Sequence, residues 1–158
     1  MKELDSYLND HLAGSVGALE LIDHWIDICH GKPLAMFFAE IRNEISRDQE
    51  TLRDLMHALG AKESNVRQAG AWAAEKLSRV TFAVAGDEIG GLGLGLALET
   101  LVMGITGKKL LWRALGAVDM AQLQGINFTQ LEQRADEQIE RIETERLRAV
   151  RDALSPAD

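Results

Sequence analysis

Hydrophobic residues recur at intervals of three and four along most of this chain, and no stretch sustains strict alternation, so the pattern predicts helix almost throughout. A first helix is expected from about Asp5 to Cys29. Leu8, Leu12, Ser15, Leu19, Ile22 and Ile26 share one face of it, and Gly31 follows as a stop. Pro33 suits the first turn of a second helix, whose stripe of Leu34, Phe37, Ile41, Ile45, Leu52, Leu55 and Leu59 ends at Gly60. A third long helix, from about Glu88 to Leu115, is apolar nearly all round. Leu94, Leu98, Leu101 and Ile105 form one arc, and Leu92, Leu96, Met103 and Leu110 form another. The fourth begins near Asn127, where Asn with Gln130 three residues on resembles a capping box, and it turns Phe128, Leu131, Ala135, Ile139, Ile142, Ala149 and Ala153 inward. The tail from Ser155 to Asp158 is expected to fray.

Between the second and third helices, from about 61 to 87, the pattern weakens. Ser64 suits the N-cap of a shorter helix carrying Trp72, Ala73, Leu77 and Val80. The expected fold class is therefore all-α: two antiparallel helix pairs joined by one long crossover with a short helix of its own. A chain of 158 residues, 46% of them hydrophobic, is the size of one domain spanning 1–158 and can bury a contiguous core without metal or disulfide.

Charge narrows the partners. Seventeen Lys and Arg against 25 Asp and Glu leave a net charge of -8, which repels nucleic-acid phosphates and anionic membrane surfaces. The most apolar run, Ile89 to Ile105, is interrupted by glycines and by Glu99, and falls short of the roughly 18 uncharged residues of a spanning helix. Cys29 is the single cysteine, and the chain opens on Met1-Lys-Glu-Leu-Asp without an apolar leader, so a cytoplasmic location is expected.

The lengths and order of these helices resemble the ferritin-like superfamily across the whole chain. That resemblance implies a di-metal centre, with a Glu from each of two helices and a Glu-x-x-His from each of the other two. The second helix offers Glu44-Ile45-Ser46-Arg47, with Arg where His is needed. The fourth offers Glu132-Gln133-Arg134-Ala135 and Glu140-Arg141-Ile142-Glu143, again without His. At about 100° per residue Glu20 projects away from the apolar face of the first helix. Only Glu99 resembles a family carboxylate, so no metal and no other cofactor is expected.

What replaces the metal is read from charges that fall on apolar stripes. Asp48 lies between Ile45 and Leu52, Arg146 lies between Ile142 and Ala149, and Glu99 interrupts the third helix between Leu96 and Met103. These suggest a buried polar cluster of Asp48, Glu99 and Arg146, with Gln138 and Ser15 satisfying further groups and the guanidinium standing where a metal charge would sit. Such a cluster more often fixes register than performs chemistry. The competing reading turns Glu99 or Arg146 outward to solvent or to a second subunit. The metal alternative is an all-carboxylate iron or manganese site of Glu44, Asp48 and Glu99.

Other candidates carry less. Glu20, His24 and Asp27 have helical spacing for a surface ion but read as a solvated face. His11 reads as an edge-of-core residue, His30 and His57 as helix C-terminal groups, and Cys29 as packing. The glycines from Gly90 to Gly95 lack a phosphate-loop signature and, with Gly14 and Gly17, suit close helix approach. Trp25 and Trp112 fall off the inward stripes and are candidate subunit anchors. The function expected is a non-catalytic interaction or structural protein, homodimeric through the surplus apolar surface of the third helix. The alternatives are a di-iron or di-manganese oxidase or iron-handling protein, and a carrier for a small apolar ligand.

Overall fold

The computed structural model describes residues 2–64 and 91–155, with Gln68, Gly70, Ala71 and Glu75 between them. Among the described residues there are four long α-helices and no strand: α1 (Lys2–Ile28), α2 (Pro33–Ala58), α3 (Leu92–Gly116) and α4 (Phe128–Leu154), with a short 3-10 turn at Ala121–Leu123. Gln68, Gly70, Ala71 and Glu75 are also helical. The expected positions Trp72, Ala73, Leu77 and Val80 lie outside the described residues.

Local sequence explains the ends. Pro33 opens α2 because its missing N–H would have no intrahelical acceptor there. Gly31 and Gly60 follow α1 and α2 with φ of 76° and 70°, a left-handed conformation that stops a helix at little steric cost only for glycine. Asn127 caps α4, its Oδ1 accepting from the Gln130 backbone N–H at 3.0 Å, as the capping pattern predicts. The chain after α2 is tied to α1 by Asn9. Its amide donates to the Asp5 carbonyl at 2.7 Å and to the Lys62 carbonyl at 2.8 Å, and its oxygen accepts from Ser64 N–H at 2.9 Å.

Helix α1 packs along α2, α3 packs along α4, and α1 also lies against α3. The first turns of α2 and α3 and the last turns of α4 meet at one end, where Leu34, Phe37, Leu94 and Ala149 line a common cleft. The apolar interior falls into two clusters. One is built on Ile22, Trp25, Phe38, Ile41, Leu98 and Ile142, the other on Leu8, Leu12, Leu52, Leu111, Trp112 and Leu115. The boundary is polar: α2 passes from Ile45 through Asp48 and Gln49 to Leu52, and α3 passes from Ile105 through Lys108 to Leu111.

Trp25 and Trp112 both depart from the sequence reading. Trp25 is buried and stacks on Phe38 with centroids 6.2 Å apart, and Trp112 is buried in the second cluster, so neither is a subunit anchor. The reason is that the buried arc of α1 is broader than one stripe, running over Leu21, Ile22 and Trp25. No helix among the described residues is long and apolar enough to cross a membrane. Trp25→Ala is expected to lower stability by about 3 to 5 kcal/mol, the cost of an aromatic-sized cavity. Urea unfolding at two protein concentrations checks this, since a core residue gives the same loss at both.

Candidate functional site

The polar boundary is organised by Asp48, which is 2% exposed. A buried carboxylate is costly unless its lone pairs are filled by donors. Helices α3 and α4 supply them. Arg134 of α4 donates to Oδ1, Lys108 of α3 donates to Oδ2, and the Gln138 amide donates to Oδ2 at 3.1 Å. Lys108 also donates to the Gln138 side-chain oxygen at 2.6 Å, closing a three-membered ring of hydrogen bonds. Burial pulls the Lys108 ammonium below the ordinary lysine value. The Asp48 charge and hydrogen bond work against this, and the Arg134 charge adds to it.

A second polar run continues across α1 and α2. Gln49 donates to the Ser15 hydroxyl at 2.8 Å and accepts from Arg53 at 2.6 Å, while Ser15 donates back to the Leu12 carbonyl at 2.7 Å. His11, one turn before Ser15, stands edge-on to Tyr7 at 4.8 Å, and burial holds its imidazole below the usual value despite Asp10 nearby. Cys29 is buried and its thiol is pushed up by that burial, which suits packing and opposes nucleophilic use.

Of the four residues read from sequence as one cluster, Asp48 and Gln138 meet. Glu99 and Arg146 do not join them. Glu99 is 51% exposed, and Arg146 reaches it only at 3.7 Å near the surface. The guanidinium is instead held by Glu143, one turn back on α4, through two contacts of 2.6 Å, which keep the Glu143 carboxyl below its usual range. Inward rotation of Glu99 is thus corrected: the arc of Leu94, Leu98, Leu101 and Ile105 is the buried one, and Met103 and Leu110 of the other arc are 60% and 52% exposed.

The apolar pattern does not single out the cations that close Asp48, although the sequence holds a signal for each. Continuing the buried arc of α3 by three residues from Ile105 lands on Lys108. Stepping back four residues from Gln138 on α4 lands on Arg134.

The carboxylates of the metal alternative are scattered. Glu44 accepts from Arg141 at 2.5 Å, Arg141 also reaches Glu40 at 3.1 Å, Asp48 is enclosed by two cations, and Glu99 faces outward. Among the described residues, no group of three or more His, Cys, Asp or Glu is arranged to hold a metal ion. A di-metal centre of the ferritin-like kind does not fit this donor set, since an ammonium and a guanidinium on Asp48 oppose a further cation. On α1, Asp23 is taken by Arg42 and Glu20 is exposed; His30, in the turn after α1, and His57 on α2 are exposed as well. Comparison with known proteins finds no matching family model, no similar curated protein and no similar solved structure.

Asp48→Ala should cost about 3 to 5 kcal/mol by stranding Lys108 and Arg134, and pairing Asp48→Leu with Lys108→Met should recover much of it. Arg146→Ala, which breaks only a surface pair, should stay within about 1 kcal/mol of the parent. Denaturant unfolding of all three variants reads both claims.

Proposed function

We propose that this chain is a ferritin-like, antiparallel four-helix bundle whose buried centre is an ion cluster in place of a di-metal site. In this reading it acts non-catalytically, as a cytoplasmic homodimer that pairs through α3. The observation that carries the reading is the enclosure of Asp48 by Lys108, Arg134 and Gln138. Both oxygens of that carboxylate already accept from donors, two of them cationic, so the protein supplies the countercharge itself.

The topology is supported by the order of the contacts. Along α2 and α4, Asp48 meets Arg134 and Gln138 while Glu44 and Glu40 meet Arg141, so one number falls as the other rises. The same inversion holds for Arg113 with Glu132, Lys109 with Asp136, and Glu99 with Arg146 on α3 and α4. It holds again for Ser15 with Gln49 and Asp23 with Arg42 on α1 and α2. The shared end of the first turns of α2 and α3 agrees with two helices pointing the same way, which a long crossover requires.

Association through α3 is supported by its outer face. Glu99, Met103, Thr106, Leu110 and Arg113 are all exposed and follow one another at steps of four and three. The row is self-complementary: a two-fold axis near Thr106 sets Met103 of one copy on Leu110 of the other, and Glu99 opposite Arg113, the isologous arrangement of a symmetric dimer.

Two measurements check the proposal. Metal analysis of protein purified without added metal or chelator should find iron and manganese far below one ion per chain, whereas two ions per chain would overturn the ion-cluster reading. In sedimentation, Leu110→Glu or Glu99→Arg should weaken self-association by on the order of tenfold or more. The charge-swapped pair Glu99→Arg with Arg113→Glu should restore it, and a monomeric parent chain would overturn the dimer.

A further inference from the structure

Beside the Asp48 cluster, between α1, α2 and α3, lies a cavity of about 250 Å3. Part of its wall is the polar boundary, with Asp48, Gln49, Ser15 and Lys108. Asp10 and His11 of α1 also line it, and the rest is chiefly apolar, with Leu52, Leu101, Ile105, Leu111 and Trp112 prominent. Its volume corresponds to roughly eight water-sized groups, suited to a small molecule and too little for a peptide side of any length.

Three glycines line the same space: Gly14 on α1, and Gly104 and Gly107 on α3. A Cβ at any of them would meet nothing within 4 Å, and none has a positive φ. Glycine inside a helix is costly relative to alanine, and here neither backbone conformation nor close packing demands it. What the three have in common is that their missing side chains leave the cavity open.

The chemistry of the buried end of the wall is short of acceptors. Lys108 spends two of its three N–H groups, on Asp48 and on Gln138. At the buried end Asp48 answers Lys108 and Arg134 with a single negative charge, while the other carboxylate of the wall, Asp10, is exposed to solvent. The indole Nε1 of Trp112 is buried without an acceptor. A cationic ligand would add to the imbalance, and a purely apolar one would leave it in place. A monoanion with an apolar body corrects the charge at one end and covers the aliphatic wall at the other.

We infer that this cavity binds a small amphipathic monocarboxylate, its carboxylate accepting from Lys108 and its apolar body lying against Leu101, Ile105, Leu111 and Trp112. Binding would be reversible and needs no covalent step. The inference does not rest on association through α3, because the cavity can be filled from α1.

Octanoate is the probe, with 1-octanol as the same apolar body without the charge and acetate as the head alone. Calorimetric titration should show saturable binding of one octanoate per chain, with a raised melting temperature, while acetate gives neither. Gly14→Leu, which fills the cavity from α1, should abolish binding while leaving the helical circular dichroism of the parent. Lys108→Met should weaken octanoate by about tenfold or more, the worth of one charge-assisted hydrogen bond, and leave 1-octanol unchanged. Absence of saturable octanoate binding to the parent chain would overturn the inference. So would undiminished binding to folded Gly14→Leu. Should Lys108→Met fail to fold, equal affinity of the parent for octanoate and 1-octanol would overturn the carboxylate assignment in its place.

Discussion

A carboxylate held out of water constrains everything around it. Asp48 sits in the stripe of α2 that otherwise packs apolar residues, and it is tolerable there only because α3 and α4 each bring a cation and α4 adds an amide. The donors must arrive at set heights along their helices, so satisfying Asp48 places α2, α3 and α4 in one register. A sliding or rotated α3 would withdraw Lys108 and leave a buried charge, a far larger loss than a displaced methyl group. The interior divides into two apolar clusters on either side of this centre, with Ile45 in one and Leu52 in the other along α2.

The same arrangement accounts for what α3 does with a surface that is apolar on nearly every side. One arc, through Leu98, Leu101, Ile105 and Leu111, fills the core, and Lys108 lies within it. The opposite arc keeps Met103 and Leu110 in contact with solvent. Between the two arcs come Gly104 and Gly107, where the helix surface recedes and the cavity against α1 opens. Core, cavity and outer row are thus three sides of one helix, and the rotation that Asp48 imposes through Lys108 decides which side becomes which.

Around this centre runs a belt of ion pairs, Asp23 with Arg42, Glu44 with Arg141, Arg113 with Glu132 and Glu143 with Arg146. Each is open to water, where pairs contribute little to stability. Their weight lies in agreement with the buried cluster, since every inter-helix pair in the belt matches the register that Asp48 requires.

Much of the secondary structure was legible in the sequence because helix ends and stripes are local properties. Pro33, Gly31, Gly60 and the Asn127 cap act within a few residues of themselves, and the stripe of α2 is amphipathic enough to single out Asp48 as inward and in need of partners. Gln138 was legible for the same reason. The rotation of α3 was not, because a helix apolar on two arcs offers no contrast by which periodicity can choose between them. Glu99 lies on the arc that turns outward, and Lys108 on the arc that turns inward. Arg146 misled differently: its Cα lies on the inner stripe, but a long side chain carries its charge outward to Glu143. By itself the sequence determined the four long helices and an acid on the inner stripe of the second. Which cations answer that acid was decided only in the tertiary structure, because pairing depends on the rotation of one helix against another, and that is settled by contacts between residues 60 and 86 positions apart.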